Sequence, residues 1–173
     1  MYSGRENIPS GMADNGPRAW GEGRYMARTP PPERRRVWRQ KVRITDADSG
    51  AAHTFYVDFG EYADGRLAEV FVTGHRMGTF ARGILDTMAK ATSLALQSGT
   101  SPLDMARSMR GQCYPPCGPV EAEGSTVREC SSVADYVARE IEACYGEDGI
   151  RKPPESDVMS EKVAGWPLQR TGV

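Results

Sequence analysis

Thr54-Phe-Tyr-Val-Asp-Phe-Gly-Glu-Tyr-Ala-Asp-Gly-Arg-Leu-Ala-Glu-Val-Phe-Val-Thr73 is the stretch that decides the fold. Its first six residues alternate, placing Phe55, Val57 and Phe59 on one face of a strand. Asp64-Gly65 follows, a hairpin signal because both residue types tolerate positive φ. The run from Leu67 to Thr73 then reads as the returning strand. Upstream, Val37-Trp-Arg-Gln-Lys-Val-Arg-Ile-Thr45 alternates in the same way, and Asp46-Ala-Asp-Ser-Gly50 supplies the turn between the two. The expectation is an antiparallel β-meander of about three strands.

Beyond Thr79 the period changes. Phe80, Ile84, Met88, Ala91 and Ala95 recur as one stripe of a helix of about five turns, with Gly99 as its stop. Asp86 and Lys90 are spaced to pair along it, and Gly83 within it suggests a close approach of helix to sheet. Ser101-Pro102-Leu-Asp104 opens a second helix with a capping Ser and Pro at the first helical position. Residues 111–124 read as a Pro/Gly-rich loop. Ser132-Val-Ala-Asp135 resembles a capping box, after which Val133, Val137, Ile141 and Cys144 line one face of a third helix. Strands followed by helices point to an α+β fold, with about three helices packed on one face of the sheet.

Nineteen Gly and twelve Pro in 173 residues exceed the usual share, and the excess marks ragged ends around a folded middle. The expected division is a disordered basic arm over 1–33, an α+β domain over 34–149 and a flexible tail over 150–173. No apolar run is long enough to cross a membrane, and the N-terminus lacks an apolar signal core, so a cytoplasmic protein is expected. The formal net charge of −1 hides an asymmetry. Residues 1–43 carry ten Lys or Arg against four acids, a net +6, which leaves −7 on the other 130 residues. Such an arm suits nucleic acid or another anionic surface, with Arg34, Arg35, Arg36 and Arg39 as its densest cluster. A solvated linker folding back on the acidic body is the plainer alternative. Trp20, Tyr25 and Trp38 offer sparse stacking surfaces.

Cys113, Cys117, Cys130 and Cys144 follow a C-x3-C-x12-C-x13-C spacing. Four thiolates would close a tetrahedral zinc site, but only one pair here is tight. Cys144 falls on an apolar helical stripe, where a buried free thiol is the alternative, so Cys113, Cys117 and Cys130 are the redox or metal candidates. A structural disulfide is disfavoured in a reducing compartment. Gly74-His-Arg-Met-Gly78-Thr79 joins strand to helix and nominates Gly74, Arg76, Gly78 and Thr79 as phosphate-binding candidates. It lacks the spacing and Lys of a P-loop, and a plain turn with Thr79 as N-cap is the alternative. His53 and His75 have no catalytic context, and Asp58, Glu61, Asp64 and Glu69 read as solvating hairpin acids.

Taken together, Phe55-Tyr-Val-x-Phe-Gly60-Glu-Tyr62-x-Asp64-Gly65-Arg-x-x-Glu69-Val-Phe71-Val resembles the TSCPD domain. The likeness continues through Met77-Gly78-Thr79, Leu85-Asp86, Ser93-Leu-Ala-Leu-Gln97-Ser-Gly99 and Leu103, then Pro116-Cys117-Gly118 and Ser132-Val-Ala-Asp135-Tyr136-Val137. That domain is found near the C-terminus of adenosylcobalamin-dependent ribonucleotide reductases. The resemblance implies that radical chemistry belongs to a large barrel carrying the catalytic cysteines, with cobalamin beside it, and no such barrel fits in 173 residues. No catalytic residue is therefore expected here, and adenosylcobalamin enters only through a partner reductase. Two roles follow. One is an accessory protein of deoxyribonucleotide synthesis acting with a separate reductase catalytic subunit, with Cys113 and Cys117 as candidate thiols. The other is an independent nucleotide- or nucleic-acid-binding module using the 74–79 loop and the basic arm. A zinc-stapled structural domain is the blandest reading.

Overall fold

The computed structural model describes residues 27–74 and 78–152. The chain builds β1 (Arg36–Thr45), β2 (Ala52–Glu61) and β3 (Leu67–Thr73), then α1 (Phe80–Gln97) and α2 (Pro102–Met109). Two short strands follow, β4 (Gly118–Glu121) and β5 (Glu129–Cys130), before α3 (Val133–Cys144). The sheet order is β3-β2-β1-β4-β5 and every pairing is antiparallel. The fold is α+β. The expected meander is its first three strands; β4 extends it within residues 111–124, which read as loop, and β5 adds a further strand just beyond them. Strands of four and two residues are too short to display a period in sequence.

Alternation in β1 to β3 sends Val42, Ile44, Phe55, Val57, Phe59, Val70 and Val72 into the core, where they meet Tyr136, Val137 and Ile141 of α3. The turns behave as their residues demand. Asp46 accepts hydrogen bonds from Ser49 N and Oγ at 2.9 and 2.6 Å. At the second hairpin only Gly65 takes positive φ, at 85°. Thr79, Ser101 and Ser132 cap α1, α2 and α3, each hydroxyl accepting a backbone N–H three residues on.

The sequence pattern misplaces one face. Phe80 and Ile84 are 84% and 52% exposed, and α1 buries Leu85, Ala89, Thr92, Ser93, Leu96 and Gln97 instead. The reason lies in β3, an edge strand with unpaired backbone groups. Ser93 Oγ donates to Val70 O at 3.1 Å and accepts from Val70 N at 3.0 Å, while Gln97 Nε2 donates to Ala68 O at 3.2 Å. Polar residues are needed against that edge, so the helix turns them inward and its apolar stripe outward. Gly83 accordingly meets nothing within 4 Å, and Asp86 pairs with Arg82 at 3.0 Å rather than with Lys90. No helix among the described residues is long and apolar enough to cross a membrane.

Candidate functional site: a cleft lined by three cysteines

Between the β1–β2 turn and the start of α3 lies a cleft of about 430 Å³ lined by Cys113, Cys117, Cys130, Glu129 and Arg139. Its wall is the 111–131 segment, which is tied down at several points. Ala47 N donates to Cys117 O at 2.8 Å, and Cys117 N donates to Asp46 Oδ2 at 3.3 Å. Gly118 sits at φ 142°, and a Cβ there would lie 2.5 Å from Thr45 O, so only glycine lets this segment lie so close to β1. Tyr114 N donates to Ser131 O at 3.1 Å, closing the segment across its base.

Asp135 organises the far side. Its side chain is fully buried and accepts from Gly111 N at 2.9 Å, Ser131 N at 3.1 Å, Arg110 Nη1 at 3.1 Å and Arg139 Nε at 2.7 Å. Burial by itself would raise its pKa, but the Gly111 N–H, Arg139 and the Ser131 N–H hold it well below the usual carboxylate range. The expected capping box is thus half made. Ser132 Oγ accepts from Asp135 N at 3.1 Å, while the carboxylate binds Ser131 N and both ends of the cysteine segment.

The three thiols are free and differ in exposure: Cys113 exposed, Cys117 half-buried, Cys130 buried. Burial and, to a lesser degree, the Asp46 carboxylate raise the pKa of Cys117. Burial, with Asp135 next, pushes Cys130 up to about 11. Protonated thiols are poor nucleophiles and poor metal ligands near neutral pH. Among the described residues, no three of His, Cys, Asp and Glu gather in a geometry that could hold a metal ion. Cys144 lies apart from the cleft, with its Sγ 3.5 Å from Glu140 Oε1.

The other candidates are scattered. Gly74 is required by packing, since a Cβ there would strike the Phe55 ring. Gly78 has φ 79° and Thr79 caps α1, whereas Arg76 falls outside the described residues. Arg35 pairs with buried Glu69, and Arg39 makes a two-pronged contact with Asp58 at 2.6 and 2.7 Å. Arg34, Arg35 and Arg36 border a separate cleft of about 390 Å³ with Glu61 and Tyr62. Of the four hairpin acids only Asp64 is exposed, beside Arg66; Asp58, Glu61 and Glu69 are buried rather than solvated. Trp38 is no exposed stacking surface either. It stacks on Phe59 with ring centroids 4.4 Å apart, Arg151 covers it at 4.3 Å, and its Nε1 donates to Tyr145 Oη at 3.0 Å. Tyr145 Oη donates in turn to Glu61 Oε1 at 3.0 Å. Sequence reading missed this network, since Trp38 lies 107 residues from Tyr145 and still further from Arg151, and the members share no motif. Trp20 and Tyr25 lie outside the described residues.

Residues 24–145 match the TSCPD domain family. The chain is 33% identical over 114 residues to a vitamin B12-dependent ribonucleotide reductase of Bradyrhizobium diazoefficiens, covering 66% of this chain and 8% of that protein. The corresponding protein of Agrobacterium fabrum is 30% identical over 114 residues, with the same two coverages. That of Rhodopirellula baltica is 32% identical over 108 residues, 62% of this chain and 10% of its own length. This chain therefore matches about a tenth or less of the curated relatives. No solved structure matches it. With the family pattern spanning the sheet and all three helices, the chain belongs to the TSCPD domain family.

Proposed function

We propose that this protein serves deoxyribonucleotide synthesis as an accessory module, docking on a separate ribonucleotide reductase catalytic subunit and aiding its assembly. The observation that carries this reading is the outward side of α1. Phe80, Ile84 and Leu94 are exposed there, on the side opposite the buried Leu85, Ala89 and Leu96. A helix apolar on both sides normally has a partner on both. In the relatives the matching domain is a short stretch of a much longer reductase chain, so a reductase surface is the natural occupant. Adenosylcobalamin would then be held by that partner.

Assembly is favoured over a thiol relay. Burial raises the pKa of both Cys117 and Cys130, which favours the protonated thiols, and Cys130 is only 3% exposed. Cys113 remains the thiol open to a partner. The test is to mix the full chain with a purified vitamin B12-dependent reductase catalytic subunit and follow complex formation by size-exclusion chromatography and calorimetry. A defined complex is expected. Two separately eluting proteins with no heat of binding would refute the proposal.

A further inference from the structure

We propose that the open face of the sheet, opposite the helices, is a platform for single-stranded nucleic acid, with Tyr56 and Phe71 stacking on bases and Lys41 and Arg43 contacting phosphates. Strand parity places these groups together. The residues that alternate with the core set are Val37, Arg39, Lys41 and Arg43 on β1, Tyr56 and Asp58 on β2, and Glu69 and Phe71 on β3. In register, Arg39 faces Asp58, Lys41 faces Tyr56, and Asp58 faces Phe71. Tyr56 and Phe71 are therefore diagonal neighbours on adjacent strands, about 7–8 Å apart between backbones.

The outer face of a half-covered antiparallel sheet is ordinarily polar. Here Tyr56 is 37% and Phe71 43% exposed, and Val37 lies beyond them. Aromatic rings on an open sheet beside a basic row are what unpaired bases require: a π-face to stack on and cations for the backbone. The basic row is regular, because every second residue of β1 from Arg39 to Arg43 is Arg or Lys, repeating about every 6.5 Å. Arg39 lies 5.7 Å over the Tyr56 ring while bound to Asp58, which holds the ring in place. Lys41 has no side-chain partner among the described residues, and Arg43 has only Glu121 at 3.7 Å, with both side chains more than half exposed. Such a pair yields readily to a phosphate. Of the acids near this face, Asp58 and Glu69 are occupied by Arg39 and Arg35, while Glu121 and Glu123 border the basic row at the β4 side and are the groups a phosphate would have to displace or avoid. β1 also closes the +6 stretch of residues 1–43, so this face is where the positive end of an otherwise acidic chain enters the fold. A duplex, whose bases are already stacked, cannot use the two rings. A protein partner would find cations interspersed with the apolar groups.

The test uses the full chain and fluorescence anisotropy with a labelled twelve-nucleotide single strand, its duplex form as control, and a salt series. Single-strand binding is expected to exceed duplex binding at matched salt and to weaken as salt rises. Tyr56→Ala and Phe71→Ala should each lower affinity about tenfold, and Lys41→Ala should reduce the log–log salt slope by about 0.7. Thermal melting of each variant confirms that it remains folded, as substitutions at exposed positions allow. Three outcomes would overturn the proposal: no binding at low salt; equal binding of duplex and single strand; or binding by folded variants that is indifferent to both rings. Self-association lost in the ring variants would instead make this face a contact between copies and would equally refute it. Reductase capture through α1 is read separately, so neither proposal's failure is mistaken for the other's.

Discussion

At the scale of the residue, Asp135 does the most. One carboxylate receives two backbone N–H groups and two guanidinium groups, and so joins the end of α2, the cysteine segment and the start of α3. Asp135→Asn removes the charge and leaves donors facing an amide. It should cost about 3 kcal/mol, measured by denaturant unfolding, with no gross change in the circular dichroism of the native state. The cysteines give a second expectation. At neutral pH a thiol-specific reagent should modify Cys113 first and half-buried Cys117 and Cys144 more slowly, and should reach Cys130 only on unfolding, as mass mapping would record. Fast, equal labelling of all four in the native protein would contradict this arrangement. Cys113, Cys117 and Cys130 could be nominated from spacing alone. That Asp135 supports their wall could not, because its one visible role was as a cap at Ser132.

Among the elements, α1 separates local signal from tertiary demand. Its length, N-cap and stop were legible, since capping and periodicity act within four or five residues. Its rotation was not. Ser93 and Gln97 look like ordinary helix-surface residues until β3 is known to be an edge strand needing partners for Val70 and Ala68. The apolar stripe thereby becomes an outer surface. The double change Phe80→Asp, Ile84→Asp should leave the melting temperature within a few degrees of the parent while abolishing complex formation with the reductase subunit. An unchanged complex would remove α1 from the docking surface. β4 and β5 show the converse limit. Their pairing depends on Gly118 lying against Thr45, a contact between residues 73 apart that no local pattern announces.

For the molecule as a whole, the ionisable groups define a pH window. Asp46, Asp64, Asp104 and Asp135 have pKa values below their ordinary 3.8 in the folded state. A depressed folded pKa contributes stability above the unfolded value and loses it as pH falls, so stability should decline below about pH 4. Burial holds Cys130 up to about 11 and Cys144 up to about 12, against 9.0 ordinarily. Raised values act in the opposite sense. Their contribution is complete below the unfolded pKa and fades as pH climbs through the folded one, so stability should also decline above about pH 9. Denaturant midpoints measured from pH 3 to 11 should therefore form a plateau with two falling limbs, and a monotonic curve would contradict it. The sequence by itself determined the three-stranded meander, the three capped helices, the family and the charge asymmetry, because alternation, capping and turn chemistry are written within a few residues. Only the tertiary structure decided which side of α1 is buried, that Asp58, Glu61 and Glu69 are interior, that three cysteines share a cleft, and that β1 shows its cations to an open face beside Tyr56 and Phe71. Each of those depends on which backbone edges and faces remain unpaired once distant strands have met, and that is a property of the assembled sheet.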